Sequence, residues 1–149
     1  MSASSSATPT HRPTDAFVGQ VVLVTGAAGG IGSAISRAFS AEGATVAAVD
    51  LIEAPLHDLA TTVPRLVPYA ADLSDEASAS AAVDAVEREL GPITACVHAA
   101  GVLSAAAVTT TTTQQWRRVF AVNADGTFHI CRAIAQAMIP RRRGASLAD

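Results

Sequence analysis

The stretch Val21-Val22-Leu23-Val24-Thr25-Gly26-Ala27-Ala28-Gly29-Gly30-Ile31-Gly32 limits this chain more than any other. A valine-rich run stops at a threonine, opens into glycines, and passes directly into helical periodicity. This order reads as strand, tight turn and helix N-terminus. Glycine lacks a Cβ, tolerates positive φ and lets another group approach the backbone. Gly26 suits the tight turn off the strand. Gly30 and Gly32 let the helix start close to the strand and to a bound group. The first N–H groups of that helix lack intrahelical partners and carry the positive end of its dipole. An anionic phosphate satisfies both needs. The spacing Gly-x-x-x-Gly-x-Gly differs from the commoner Gly-x-Gly-x-x-Gly dinucleotide turn. It is not a Walker A loop either, because that loop needs a lysine. All ten basic residues here are arginines. A glycine-rich loop with no ligand would look the same, so the turn alone does not decide.

A second feature adds weight. Thr45-Val46-Ala47-Ala48-Val49-Asp50 is another buried-strand run, and it ends in an acid. Asp50 follows Gly26 by 24 positions. The acid that binds an adenosine ribose is expected about 20 residues on. A carboxylate there accepts hydrogen bonds from ribose hydroxyls and repels a 2′-phosphate. The following Leu51 and Ile52 supply no arginine to offset that repulsion. The pair of features therefore points to NAD rather than NADP. The plainer alternative for Asp50 is a polar residue that turns the chain at a strand end.

Half of the 149 residues are hydrophobic, which suits one compact domain. The formal net charge is −3, and no basic stripe suggests a nucleic-acid footprint. Cys96 and Cys131 lack metal or redox spacing and lie in apolar runs, as reduced core thiols of a cytoplasmic protein do. No apolar run approaches the ~18 residues of a membrane span. Residues 1–16 are rich in Ser, Thr, Ala and Pro and lack the apolar segment of a secretory signal. They read as a disordered tail, with the folded domain over residues 17–149.

In order, Ile31, Ala34, Ile35, Ala38 and Phe39 recur at helical spacing, and Gly43 stands where a helix C′ residue belongs. A short helix is predicted over Ala54–Thr61 and a third strand over Arg65–Asp72. Pro68 removes a ladder donor and favours an edge strand. Ser74 is the predicted N-cap of a helix that buries Ala79, Val83, Val86 and Leu90 and stops at Gly91-Pro92. Ile93–His98 is the fourth strand, followed by Ala99-Ala100-Gly101. Thr112 and Gln115 fit a capping box. They open one long helix, Gln114 to Met138, with Trp116, Val119, Phe120, Asn123, Ile130, Ile134 and Met138 as its periodic residues. Arg141-Arg142-Arg143 reads as a solvated cluster at the helix's negative pole. Strand and helix alternate throughout. This predicts a doubly wound α/β fold of the Rossmann type, with a parallel sheet in the order 3-2-1-4. Gly26–Gly32, Asp50, Asp72 and Ala99–Gly101 then meet at the C-terminal ends of the strands.

These residues resemble the short-chain dehydrogenase/reductase family over about Val18 to Gly144. Thr25–Gly32 resembles its TGxxxGIG cofactor turn, with Gly26, Ala28, Gly29, Gly30, Ile31 and Gly32 as the implied phosphate-side residues. Asp50, with Leu51, resembles its NAD-selecting position. Asp72-Leu73 is similar to the pair that contacts the adenine ring. Ala99-Ala100-Gly101 resembles the tail of its NNAG element. Asn123 resembles the helix asparagine that supports a proton-relay water. The resemblance implies hydride transfer between a secondary alcohol and NAD, a small-molecule substrate, and a homo-oligomer for a full-length parent. More narrowly, Ala99–Leu103 and Trp116–Asn123 resemble the 2,3-dihydro-2,3-dihydroxybenzoate dehydrogenases of catechol siderophore biosynthesis, which oxidise a cyclic dihydrodiol.

Two departures stand out. His98 and Ala99 replace the two asparagines of NNAG. His98 invites an acid–base role, although a strand-end position with no evident partner favours a structural one. The family's serine, tyrosine and lysine are also not found. Tyr69 is the single tyrosine and lies on the third strand, no lysine exists, and Ser146 comes too early to serve. The expectation is a cofactor-binding N-terminal part of a dehydrogenase, cut after the fourth strand and its long helix and inactive by itself. Its fourth strand would form an open, aggregation-prone edge. The alternative is a non-catalytic nucleotide-binding module. A methyltransferase-like fold fits the glycine set and the asparagine-bearing helix poorly.

Overall fold

Valine-rich strands alternate with amphipathic helices, and the computed structural model, which describes residues 15–141 and 145–148, shows the layers that result. Strands β1 (Val21–Thr25), β2 (Thr45–Asp50), β3 (Leu66–Ala70), β4 (Ile93–His98) and β5 (Ala145–Ala148) form one parallel sheet. Its order is β3-β2-β1-β4-β5. Helices α1 (Gly30–Ala41), α2 (Glu53–Thr62), α3 (Glu76–Glu89), α4 (Thr113–Phe120) and α5 (Gly126–Met138) connect the strands.

The predicted 3-2-1-4 order is present, and β3 is an outer strand, as Pro68 requires. The sheet nevertheless continues past β4. Residues 95–98 pair in register with 145–148, so the ladder groups on that side of β4 are taken up by β5 and the expected open edge is covered. Of the expected tail over residues 1–16, residues 1–14 lie outside the described residues, as do Arg142 and Arg143, while the Asp15 and Ala16 carbonyls accept from Val18 N and Gln20 Nε2.

Alternation along the strands builds a core on each face. Val21, Leu23, Ala47 and Val49 pack with Val83 and Val86 of α3 and with Ile130 and Ile134 of α5. Val22, Val24, Val46 and Ala48 pack with Leu56 and Leu59 of α2 and take Ile35 and Phe39 of α1 against them. The inward face of α1 is narrower than its periodicity suggested. Gly32, Ser36 and Ser40 are buried, whereas Ile31 is 70% exposed. Small residues there bring the helix close to the sheet. Gly43 ends α1 at φ +95°. Its N–H donates to Ser40 O and that of Ala44 to Phe39 O, the paired bonds of a Schellman motif.

Three further details differ from the sequence reading. The N-cap of α3 is Asp75, whose carboxylate accepts from Ser78 N, and not Ser74. The long helix is not continuous. α4 opens on the predicted Thr112–Gln115 capping box, but residues Ala121–Asp125 are π-helical and Gly126 N–H donates to Ala121 O. The wider turn shifts the phase of the helix. Ile130, Ile134 and Met138 are therefore buried, while Trp116 and Phe120, with ring centroids 4.3 Å apart, stay largely exposed. Finally, Arg141 is not a solvated charge. It makes a bidentate pair with Glu87 at 2.5 and 3.0 Å, and Glu87 also accepts from Ile93 N at 2.7 Å. One carboxylate thus joins the end of α3, the start of β4 and the segment leading to β5.

Glu87→Ala would leave the Ile93 N–H and the Arg141 guanidinium without this acceptor. It is expected to cost about 1–3 kcal/mol, read as a lower urea midpoint at unchanged m-value. A second expectation concerns alkaline pH. Burial, and secondarily Cys131, pushes the Cys96 thiol from 9.0 up to about 12. Burial, then the hydrogen bond and charge of Glu89, pushes Tyr69 from 10.0 up to about 12 against a lowering by Arg88. The unfolded chain gives up these protons first, so stability falls as pH rises from 9.0 towards 12. No lysine titrates in that range. In Cys96→Ala, urea unfolding should lose the part of the slope that precedes Tyr69.

Candidate functional site

The C-terminal ends of β1, β2 and β4 enclose a cleft of about 610 Å³. It lies where the connections that leave β1 and β4 run to opposite faces of the sheet, the expected ligand position in an open α/β sheet. Gly26 turns the chain off β1 at φ +62°. A Cβ at that position would stand 2.6 Å from Ala99 O and 2.7 Å from the Ala100 Cα. Only a glycine fits, because both the φ and the approach of a second backbone exclude a side chain. A Cβ on Gly32 would overlap the carbonyl of Gly26, whereas one on Gly30 would meet nothing within 4 Å.

The start of α1 differs from those of α3 and α4. Its N-cap, Gly29, has no side-chain cap, and the first turn holds no acid. α3 and α4 are capped by Asp75 and Thr112. The N-terminus of α1 therefore offers its amides and the positive end of its dipole to an outside anion.

Asp50 is set beside this turn. Its Oδ2 accepts from Ala28 N at 3.0 Å and its Oδ1 from Leu51 N at 2.8 Å. A carboxylate has about four acceptor positions, so about two stay available for ligand hydroxyls. Asp72 lies one strand further out. Its Oδ1 accepts from Ser74 N and Ser74 Oγ at 2.9 and 2.6 Å, which fixes the turn after β3. Leu51, Ile52, Leu73, Ala100 and Val122 give the cleft apolar walls.

The loop after β4 is tied at both ends. Ala99 N and Ala100 N donate to Thr25 Oγ1 at 3.2 and 3.3 Å. Further on, the Asn123 carboxamide grips the backbone of Val102. Its Nδ2 donates to Val102 O at 2.9 Å, and its Oδ1 accepts from Val102 N at 2.8 Å. Asn123 is thus a clamp on the loop and does not line the cleft, whereas its neighbours Ala121 and Val122 do.

Of the residues expected to touch a cofactor, Gly26, Ala28, Gly29, Asp50, Leu51, Asp72, Leu73, Ala99, Ala100 and Gly101 line this cleft. Gly30, Ile31 and Gly32 form the first turn of α1, directly after the lining residue Gly29. Gly32 serves the turn by its small size, and the Ile31 side chain points into solvent. Sequence reading overlooked Arg118, the one cation among the lining residues. Its signal was its spacing, since Arg118, Ala121 and Val122 share one helix face at i, i+3 and i+4. Among the described residues no cluster of His, Cys, Asp or Glu could hold a metal.

The short chain dehydrogenase family model matches residues 20–147. The chain belongs to that family. Among its relatives, a D-threitol dehydrogenase of Mycolicibacterium smegmatis is 41% identical over 131 residues, covering 85% of this chain and 50% of the relative. A 2,3-dihydro-2,3-dihydroxybenzoate dehydrogenase of Bacillus subtilis is 34% identical over 131 residues, with the same coverage. The chain spans about half the length of these curated relatives. A crystal structure of a short-chain type dehydrogenase/reductase from Mycobacterium marinum superposes with a TM-score of 0.85 at 26% identity, covering 89% of this chain and 56% of that one. No described helix is long and apolar enough to cross a membrane.

The glycines of this turn separate by experiment. Gly32→Ala forces backbone against backbone and should destabilise the fold by more than about 2 kcal/mol in urea unfolding. Gly30→Ala should be neutral or stabilising by up to about 1 kcal/mol, because it adds a helix former in open space. Equal losses for the two would contradict the geometry of the turn.

Proposed function

We propose that this chain is the NAD-binding portion of a short chain dehydrogenase that exchanges hydride between a secondary alcohol and the nicotinamide. One observation carries the reading. The uncapped start of α1 and the partly unused Asp50 carboxylate stand side by side on a cleft of dinucleotide size. The amides of the first turn of α1, from Gly30 to Gly32, would hold the diphosphate. Asp50 would accept from the adenosine ribose, and Asp72 and Leu73 would border the adenine. Bound there, the nicotinamide cofactor supplies a hydride acceptor or donor. The substrate class is a polyol or cyclic dihydrodiol, by likeness to relatives named for D-threitol and for 2,3-dihydro-2,3-dihydroxybenzoate.

These 149 residues alone should not turn over substrate. Tyr69, the single tyrosine, lies on the edge strand, donates its hydroxyl proton to Glu89 of α3 and is pushed up to about 12. A tyrosine that takes a proton near neutrality needs the opposite shift, which a neighbouring ammonium provides, and the chain has no lysine. Asn123 has a supporting role through the loop it clamps. The alternative of a nucleotide-binding module without catalysis uses the same cleft, and the covering of β4 by β5 favours a chain that can stand as such a unit. The proposal also places the protein in the cytoplasm and, for a full-length parent, in a homo-oligomer.

Calorimetric titration tests the reading. NAD should bind, and NADP should bind more weakly because Asp50 repels its 2′-phosphate. Asp50→Asn should weaken NAD by about ten- to a hundredfold, the value of hydrogen bonds to a charged group. It should also narrow the gap to NADP. An unchanged NAD affinity in Asp50→Asn would refute the assignment.

A further inference from the structure

We infer that His98 is a positioning residue, fixed as the neutral Nε2–H tautomer, that closes a ring of hydrogen bonds around the cofactor-facing loop Ala99–Val102. The tautomer follows from counting protons. Thr25 Oγ1 lies 3.2 and 3.3 Å from Ala99 N and Ala100 N and 2.7 Å from His98 Nδ1. Backbone N–H groups can only donate. A hydroxyl has two lone pairs and one proton. The two amides take the lone pairs, so the Thr25 proton points at Nδ1, which must accept.

The other side of the ring gives the same answer independently. Thr127 Oγ1 lies 2.6 Å from Asn123 O, and a carbonyl can only accept, so the Thr127 proton is used there. His98 Nε2 stands 2.9 Å from the same hydroxyl oxygen and must therefore donate to it. Both ends require the proton on Nε2 and none on Nδ1. His98 is 3% exposed, so a reversed tautomer would set donor against donor out of reach of water.

The connections form a closed path. It runs from Thr25 through His98 and Thr127 to the backbone of Asn123. From there the Asn123 carboxamide reaches Val102, and the loop leads back through Gly101 and Ala100 to Thr25. Every loop residue from Ala99 to Val102 lines the cleft, and His98 does not. Its ring therefore acts by joining the end of β1 to the π-helical turn, which holds the loop at a fixed depth. Asparagine keeps an acceptor where Nδ1 stands but is too short to reach Thr127, and phenylalanine keeps neither polar atom.

The effect on nucleotide binding rests on the function proposed above, but the tautomer and the loop protection do not. The full chain with ¹⁵N-labelled histidine should show, at neutral pH, one imidazole with an unprotonated Nδ1 and a slowly exchanging Nε2–H. Its signals should vanish in His98→Asn, which assigns them among the four histidines. Amide exchange at Ala99, Ala100 and Val102 should accelerate at least about tenfold in His98→Phe, which is about 1.4 kcal/mol of local opening. His98→Asn, which keeps the acceptor for Thr25, should lose less protection than His98→Phe. Thr127→Val should abolish the slow Nε2–H even if His98→Phe does not fold. NAD should bind His98→Phe at least about tenfold more weakly than His98→Asn. An Nδ1–H tautomer, an imidazolium at neutral pH, or unchanged exchange in His98→Phe would overturn the inference. A wild-type chain that shows the tautomer and protection but binds no NAD would instead overturn the nucleotide reading.

Discussion

The approach of the Gly26 turn to the backbone of Ala99 and Ala100 is the contact on which the remaining structure depends. It brings β1 and β4 together at the end where their connections diverge. A Cβ on Gly26 would sit inside van der Waals distance of three backbone atoms of that loop. The neighbouring Thr25 then uses its hydroxyl to satisfy two loop amides that the sheet leaves unpaired. A small residue permits the approach, and a polar one beside it makes the approach favourable. Buried amides that lack a partner cost about 1–3 kcal/mol each, so Thr25 is as necessary here as the glycine.

The two cores follow from the same arrangement. A parallel sheet with helices on both faces needs apolar residues on both sides of each central strand. β1 and β2 answer with near-continuous valine and alanine, all buried. At the centre of β2, Ala48 faces the core with α1 and α2 and Ala47 the core with α3 and α5, so both faces of the strand take a helix layer closely. The glycine and serines of α1 belong to this close packing rather than to solvent. Glu87 completes the frame at the opposite end of the sheet, where it holds the entry to β4 and the approach to β5.

Much of this was legible in the sequence because it is local. The strand runs, the β1–turn–α1 unit, the capping box at Thr112 and the C′ glycine at position 43 each depend on residues a few positions apart. The spacing from Gly26 to Asp50 was legible because the sheet order follows from the βαβ pattern. The parts that were missed depend on distant partners. Asp75 wins the N-cap of α3 because Ser74 is already bonded to Asp72. Arg141 looked like a solvated charge until the fold placed Glu87 beside it. Arg118 reaches the cleft only because the helix that carries it crosses the mouth. The π-helical turn has no periodicity signal of its own, so a single long helix was the natural reading of Gln114–Met138.

That turn also explains why an asparagine and a histidine stand so far apart in sequence and so near in effect. A regular helix through Ala121–Asp125 would present its residues at a constant angle. The extra residue in the turn changes that angle between α4 and α5, so that Asn123 faces Val102 while Thr127 faces His98. Gly126 allows the turn to lie against Leu73, since a Cβ there would be 3.3 Å from its carbonyl. The loop after β4 and the turn after β3 are thus both referred to one irregular stretch of helix. In this chain the cleft's shape is set less by the residues that line it than by the polar contacts one layer behind them, where a neutral imidazole bridges two threonine hydroxyls.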